Sequence, residues 1–344
     1  MIEMSNIGVL GAGTWGMALA RMLYNSGHKV CVWSALSKEV EELPATRRHP
    51  NLPGMVIPDG ISFTGEIAEV CKGRDILLFA VPSPFVRSTA RLAAPYVEND
   101  QIIVDVAKGI EADTLMTMTQ IIRQEIDNPT VKLVALSGPT HAEEVAKDLP
   151  TTIVSACEDR ETAELVQNVF WGTCMRVYTN EDVLGVELCG AVKNVIALAC
   201  GIATGLGYGD NARAALITRG VAEISRLGMA MGCEPGTFGG LAGMGDLIVT
   251  ATSVHSRNNR CGILIGQGVP VKEAIAQVGM VVEGINALPA TMRLAQKYQV
   301  EMPIVEAAYQ VVHGEILPGE VVQQLMGRDK KPELPQNALN NRYE

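Results

Sequence analysis

Nowhere in these 344 residues do two cysteines form a C-x-x-C pair, and none of the eight has a paired histidine nearby. Structural zinc needs four ligands at short spacing, so that class of site is excluded and no metal is expected. The cysteines lie mostly in apolar runs such as Val30-Cys31-Val32 and Leu198-Ala199-Cys200, where thiols act as small core hydrophobes. Reduced thiols suit the cytosol, and a cytoplasmic location is expected. A basic excess is missing as well: 28 Lys and Arg stand against 38 Asp and Glu, a formal net charge of -10. That argues against a nucleic-acid surface, which shows a basic stripe, but not against a phosphorylated substrate bound in a locally basic cleft. No run reaches the roughly 18 uninterrupted apolar residues of a membrane span, and the N-terminus enters a strand without the basic region of a signal peptide.

What is present is a change of pattern along the chain. The first half carries short Val- and Ile-rich runs at 7–10, 29–33, 75–81, 102–106, 131–136 and 151–155, each bounded by Gly, Pro, Asn or Asp. These read as buried strands. A helical stretch over 14–26, ending at Gly27, separates the first two. Strands alternating with helices imply right-handed crossovers and a doubly wound, mostly parallel sheet. Beyond about Tyr178 the pattern turns to long Ala-, Leu- and Met-rich stretches such as 192–202, 212–231 and 287–298, which read as all-α. The expected division is an α/β Rossmann domain over 1–185, a helical domain over 186–330, and a polar tail over 331–344.

The turn after the first strand is Gly11-Ala12-Gly13-Thr14-Trp15-Gly16, with a buried strand before it, a helix after it and a second strand completing the βαβ unit. Gly11 permits the tight turn, Gly13 lets the backbone approach a pyrophosphate, and Gly16 allows close helix–sheet packing. The helix N-terminus offers free N–H groups and positive potential. A nicotinamide dinucleotide is therefore expected. The end of the second strand reads Trp33-Ser34-Ala35-Leu36, without the acid that binds a ribose 2′-hydroxyl or the arginine that suits a 2′-phosphate, so the choice between NAD and NADP stays open.

Four further segments concentrate polar residues. Lys108 follows the strand at 102–106, on the rim where open α/β sheets bind ligands. Ser137-Gly138-Pro139-Thr140-His141-Ala142 is another sharp strand end, where His141 reads as a capping or packing residue more than a proton carrier. Lys193 and Asn194 interrupt an otherwise apolar helix; a buried ammonium must be paired or functional, and desolvation lowers its pKa toward that of a proton shuttle. Asp246 and Thr250, four residues apart, share a helix face, and Asp246 is a natural partner for Lys193. Ser256 reads as the N-cap of a helix over 257–266, so that backbone amides and Arg257 converge into a phosphate site.

Together these segments resemble the bacterial-type glycerol-3-phosphate dehydrogenase family. GAGTWG, VAKGIE, LSGPTHAEE, VELCGAVKNVIALACGIATGLGYGDNARAALITRG, GMGDLIVTATSVHSRN and GMVVEG occur in the family's order, over about residues 5–328. The resemblance implies a C-terminal domain of the 6-phosphogluconate dehydrogenase-like type and interconversion of sn-glycerol 3-phosphate and dihydroxyacetone phosphate with NAD(H) or NADP(H), feeding phospholipid synthesis. It implies that Lys193 carries the proton, and that Lys108, Gly138, Thr140, Asp246, Ser256, Arg257 and Asn258 form the substrate pocket around it. It further implies that Thr14, Trp15, Lys108, Ala142, Arg257, Val281 and Glu283 line the dinucleotide beside Gly11, Gly13 and Gly16. Asn194 and Thr250 are implied as supporting groups, and a homodimer as the assembly. Two departures stand out: Ser34-Ala35-Leu36 replaces a His or Arg that many relatives carry, mildly favouring NAD(H), and Thr204 stands at a usually acidic position. The rival readings are a hydroxyacid or ketopantoate-type reductase of similar build, or an NADH-sensing module without chemistry. Neither needs the Ser256-Arg257-Asn258 anchor, and a sensing module does not need the buried Lys193.

Overall fold

The computed structural model describes residues 4–330 and 332–333. The expected polar tail lies almost entirely outside the described residues. Eight strands form one sheet in the order β3-β2-β1-β4-β5-β6-β7-β8. They are β1 (Asn6–Leu10), β2 (Lys29–Trp33), β3 (Ser62–Thr64), β4 (Ile76–Phe79), β5 (Ile102–Asp105), β6 (Lys132–Ser137), β7 (Thr151–Ala156) and β8 (Met175–Asn180). The first six run parallel, β7 lies antiparallel to β6, and β8 is parallel to β7. A Rossmann unit is thus extended by two reversed strands.

The six expected strands all form. The two strands not foreseen, β3 and β8, are at the sheet's edges. A continuous apolar run marks a strand buried on both faces, whereas β3 has three residues with only Thr64 buried, and β8 buries only Met175 and Val177 of six. Two apolar clusters cover the faces of the sheet: one joins β1 and β2 to the helix Thr14–Asn25, the other packs Leu77, Phe79 and Ile103 under Val86, Ala90, Ile121 and Ile122.

From Val183 onward the described chain is helical. Its axis is the helix Val183–Gly205, of which nearly every residue is buried. By length and composition this helix could cross a membrane, but 83% of its most apolar window is buried by the fold, which makes it a core helix. It runs unbroken through Thr204, whose hydroxyl donates to the Cys200 carbonyl at 2.9 Å.

The helix Arg257–Gly266 crosses this axis at very short range. A Cβ on Gly201 would lie 2.2 Å from the Asn259 carbonyl oxygen, and one on Gly262 would lie 2.2 Å from that of Leu198. Only glycine fits at such a crossing, and the closeness fixes where the start of Arg257–Gly266 sits relative to Lys193. Gly262→Ala must push two backbones apart. It is expected to lower stability by about 1–3 kcal/mol, as overpacked cores do, measured by thermal unfolding.

Candidate active site

The glycine turn has the geometry its spacing implies. Gly11 has φ +120°, a region open to glycine, and its N–H donates to the Trp33 carbonyl at 2.9 Å, tying the turn to the end of β2. A Cβ on Gly16 would fall 2.1 Å from the Gly11 oxygen, so the helix Thr14–Asn25 packs directly on the turn. At Gly13, by contrast, an added Cβ meets nothing within 4 Å. The helix has no side-chain cap and no acid in its first turn, and the buried Thr14 Oγ1 has no hydrogen-bond partner among the described residues. Open space, uncapped amides and an orphaned hydroxyl fit the pyrophosphate of a dinucleotide.

Across the carboxyl edge of the sheet, three elements converge on one carboxylate. Asp246 begins the helix Asp246–Thr252, directly after a π-turn over Leu241–Gly245, a backbone irregularity often found at functional sites. Its Oδ1 accepts from Lys193 Nζ at 2.8 Å and its Oδ2 from Lys108 Nζ at 2.6 Å. Lys193 also donates to Thr250 Oγ1 at 2.6 Å, while that hydroxyl donates to the Asp246 carbonyl one turn back. Lys108 reaches Gly138 O at 2.9 Å and Thr140 Oγ1 at 3.3 Å. The knot therefore brings together Lys108, Gly138, Thr140, Lys193, Asp246 and Thr250, drawn from both halves of the chain.

Its electrostatics follow from burial. Lys193 is 5% exposed, and desolvation pulls its ammonium down to about 8. The Asp246 carboxylate resists that fall, whereas Lys108 and Arg257 add to it. Burial alone would raise Asp246, which is 1% exposed, but the two lysines outweigh it and hold the carboxyl below its ordinary range. One carboxylate thus keeps two ammonium groups in place while leaving one of them close to neutral pH.

Beside the knot, Ser256 caps the helix Arg257–Gly266, its Oγ accepting from the Asn259 amide at 3.2 Å. Arg257, half-buried at the head of this helix, is close enough to the knot to help lower the Lys193 ammonium. Asn258 is used differently from a free substrate ligand. Its amide donates to Asn194 Oδ1 at 2.9 Å and accepts from Gly284 N at 2.8 Å, linking the axial helix to the helix Glu283–Lys297. Asn194 completes the link with a 3.1 Å bond to Gly190 O. Trp15 and Ala142 are half-buried beside one core cluster, and the short helix Ala142–Val145 packs on Thr14–Asn25. Val281 is half-buried just ahead of the Glu283 helix. His141 precedes Ala142; burial lowers its imidazole, its buried Nε2 has no hydrogen-bond partner among the described residues, and its ring stands edge-on to His255 at 5.9 Å.

Several participants escaped the sequence reading. Ser83 is one: it gives its N–H, at 3.2 Å, and its Oγ, at 2.7 Å, to the expected cofactor residue Glu283, a clasp between the β4 loop and the helical half. The signal was there in Val81-Pro82-Ser83-Pro84, a proline-marked loop at the carboxyl end of a strand. Asp105 ends β5 as a buried carboxyl raised well above its usual range by desolvation and by the nearby Glu187. Glu187 itself accepts from the hydroxyls of Thr117 and Thr119 at 2.7 and 2.5 Å. The eight cysteines are free and at least partly buried, and no cluster of metal-binding side chains occurs among the described residues.

Comparison with known proteins decides the family. Residues 6–163 match the model of the NAD-dependent glycerol-3-phosphate dehydrogenase N-terminus, and residues 182–323 match that of its C-terminus. The chain belongs to the NAD-dependent glycerol-3-phosphate dehydrogenase family. It is 66% identical over 335 residues to glycerol-3-phosphate dehydrogenase [NAD(P)+] 2 of Lactobacillus delbrueckii subsp. bulgaricus, covering 96% of this chain and 99% of that one. With the glycerol-3-phosphate dehydrogenase [NAD(P)+] of Agathobacter rectalis it shares 52% identity over 331 residues, 96% and 98% of the two chains. The crystal structure of the glycerol-3-phosphate dehydrogenase of Coxiella burnetii superposes with a TM-score of 0.90 at 36% identity, over 94% of this chain and 99% of that one. As a member of this family the chain is an oxidoreductase with a parallel Rossmann-like sheet and a C-terminal helical domain.

Proposed function

We propose that this chain interconverts sn-glycerol 3-phosphate and dihydroxyacetone phosphate, using NAD(H) or NADP(H), and that Lys193 is its acid–base. The observation that carries this reading is the Lys193 ammonium: nearly buried, drawn to about 8, and held by one carboxylate and one hydroxyl. A ketone oxygen receiving a proton needs a donor of that pKa in that setting. The proposed division is a cofactor domain over 1–185 and a substrate domain over 186–330, with the reaction between them. Two such chains in a cytoplasmic homodimer, serving phospholipid synthesis, complete the proposal.

The residues divide the work by chemistry. Gly11, Gly13, Thr14, Trp15 and Gly16 hold the pyrophosphate, with Ala142, Val281 and Glu283 along the cofactor and Lys108 and Arg257 shared with the substrate. The bound dinucleotide supplies or accepts the hydride at the substrate's C2. Arg257 and the amides heading its helix anchor the substrate phosphate, an arrangement of dipole and guanidinium suited to a dianion. Ser256 and Asn258 fix that helix start, with Asn194 behind Asn258. Gly138 and Thr140 hold Lys108, whose charge with that of Lys193 stabilises negative charge developing on the C2 oxygen. Thr250 and Asp246 keep Lys193 aimed.

Oxidation of NADH followed optically with dihydroxyacetone phosphate, and separately with dihydroxyacetone, tests the assignment. Turnover with the phosphorylated ketone and little without its phosphate is expected. Inactivity toward the phosphorylated ketone, with activity on a 2-oxoacid, would reject it in favour of a hydroxyacid or ketopantoate-type reductase. Dinucleotide binding without any turnover would leave a sensing module.

A further inference from the structure

Beyond β2 the chain folds back on itself at the place where a Rossmann unit meets the ribose of the adenosine half. Ser34 directly follows the strand and is 5% exposed. Its hydroxyl donates to Glu39 Oε2 at 2.5 Å and accepts from the Leu36 amide at 3.1 Å. The N–H of Gly11 binds the Trp33 carbonyl, so this pair stands one residue from the cofactor turn. His49 closes the arrangement: its buried imidazole lies against the Ala12 carbonyl and within reach of the Glu39 carboxylate, and burial keeps it below its ordinary value.

We propose that the Ser34–Glu39 pair reads the adenosine ribose and makes this chain discriminate in favour of NAD(H) over NADP(H). The inference rests on the dinucleotide reading above. A carboxylate in this position accepts from a 2′-hydroxyl and repels a 2′-phosphate. Two of the cations that could reverse the preference are engaged elsewhere. Arg47 takes up left-handed backbone at φ 52° and spends its guanidinium on the Pro58, Asp59 and Ile61 carbonyls and the Asp59 carboxylate. Lys38 pairs with Glu42 one turn along its own helix at 3.8 Å. His49, neutral near pH 7, brings no charge. Arg48 is exposed, and its substitution is the control for a cation at this rim.

ADP-ribose and its 2′-phosphorylated form carry the distinguishing group and cannot react, so calorimetric titration of the full chain with each reads this site apart from catalysis. ADP-ribose is expected to bind at least about tenfold more tightly, the size of one hydrogen bond to a charged group set against an unpaired one. In Glu39→Gln, whose side chain can still accept from Ser34, that ratio is expected to fall about tenfold, toward parity. Equal affinities in the unaltered chain, or a ratio unmoved by Glu39→Gln, would overturn the proposal. Tighter binding of the phosphorylated form, lost in Arg48→Ala, would overturn it and give the rim to Arg48. If neither compound binds, the dinucleotide reading falls with it; if both bind equally while dihydroxyacetone phosphate is turned over, the specificity proposal falls alone.

Discussion

Replacing Lys193 by Met is expected to lower kcat for dihydroxyacetone phosphate reduction by about 10²–10⁴-fold, the contribution of a positioned general acid, while NADH binding survives. Methionine keeps the length and apolar stem of lysine and removes only the ammonium. The substitution leaves Asp246 paired with Lys108 at 2.6 Å, so the carboxylate is not abandoned in the core. Stability should change little, because the desolvation cost of the Lys193 ammonium disappears while Asp246 keeps Lys108 as its counter-charge. NADH binding by fluorescence and melting temperature separate loss of chemistry from loss of fold. Activity retained at the level of the unaltered chain would remove Lys193 from the mechanism. The unaltered chain carries a matching pH signature. Reduction needs the protonated lysine, so kcat/KM for the ketone should fall as pH rises through about 8, and oxidation of glycerol 3-phosphate should rise through the same range.

How much of this site could be read from sequence depends on how local its geometry is. The Gly11–Gly16 turn and the Ser256 cap were legible because each is completed within a few residues, where spacing dictates backbone form. The Lys193–Asp246 pair was legible for a different reason: a buried ammonium demands a carboxylate, and Asp246 sits in an equally apolar helix. Nothing in the sequence says that Lys108 shares that carboxylate, 138 residues away, since this depends on how the helical half docks on the sheet edge. The Ser83–Glu283 clasp, across 200 residues, was hidden in the same way. Asn258 was expected in the substrate pocket, whereas its amide is bonded to Asn194 and Gly284, contacts that depend on the close crossing the glycines permit. Glu39 was not legible because it stands beyond the end of the second strand, and only a helix beginning at Ser37 carries its carboxylate back to Ser34. Edge strands β3 and β8 lacked the two-sided burial that makes central strands visible.

Asp246→Asn is expected to produce the second large effect, on stability and on pH dependence at once. The carboxylate neutralises two ammonium groups in a region where it is itself 1% exposed. Asparagine preserves the shape and one acceptor but leaves both cations without a counter-charge. Breaking one side of a buried ion pair costs about 3–5 kcal/mol, and here the loss is limited because Lys193 can shed its proton. Asp246 is what resists the desolvation of Lys193, so its removal must lower the lysine further below 8. The midpoint of the reduction profile should therefore move to more acidic pH by at least about one unit, corresponding to ~1.4 kcal/mol of lost charge stabilisation. At pH 7 half or more of the donor would then be deprotonated and reduction slowed, whereas oxidation would persist to lower pH than in the unaltered chain. A carboxylate that only touched substrate would raise KM and leave the midpoint in place. The shift, read from kcat/KM profiles in both directions, distinguishes a group that tunes Lys193 from one that merely lines the pocket.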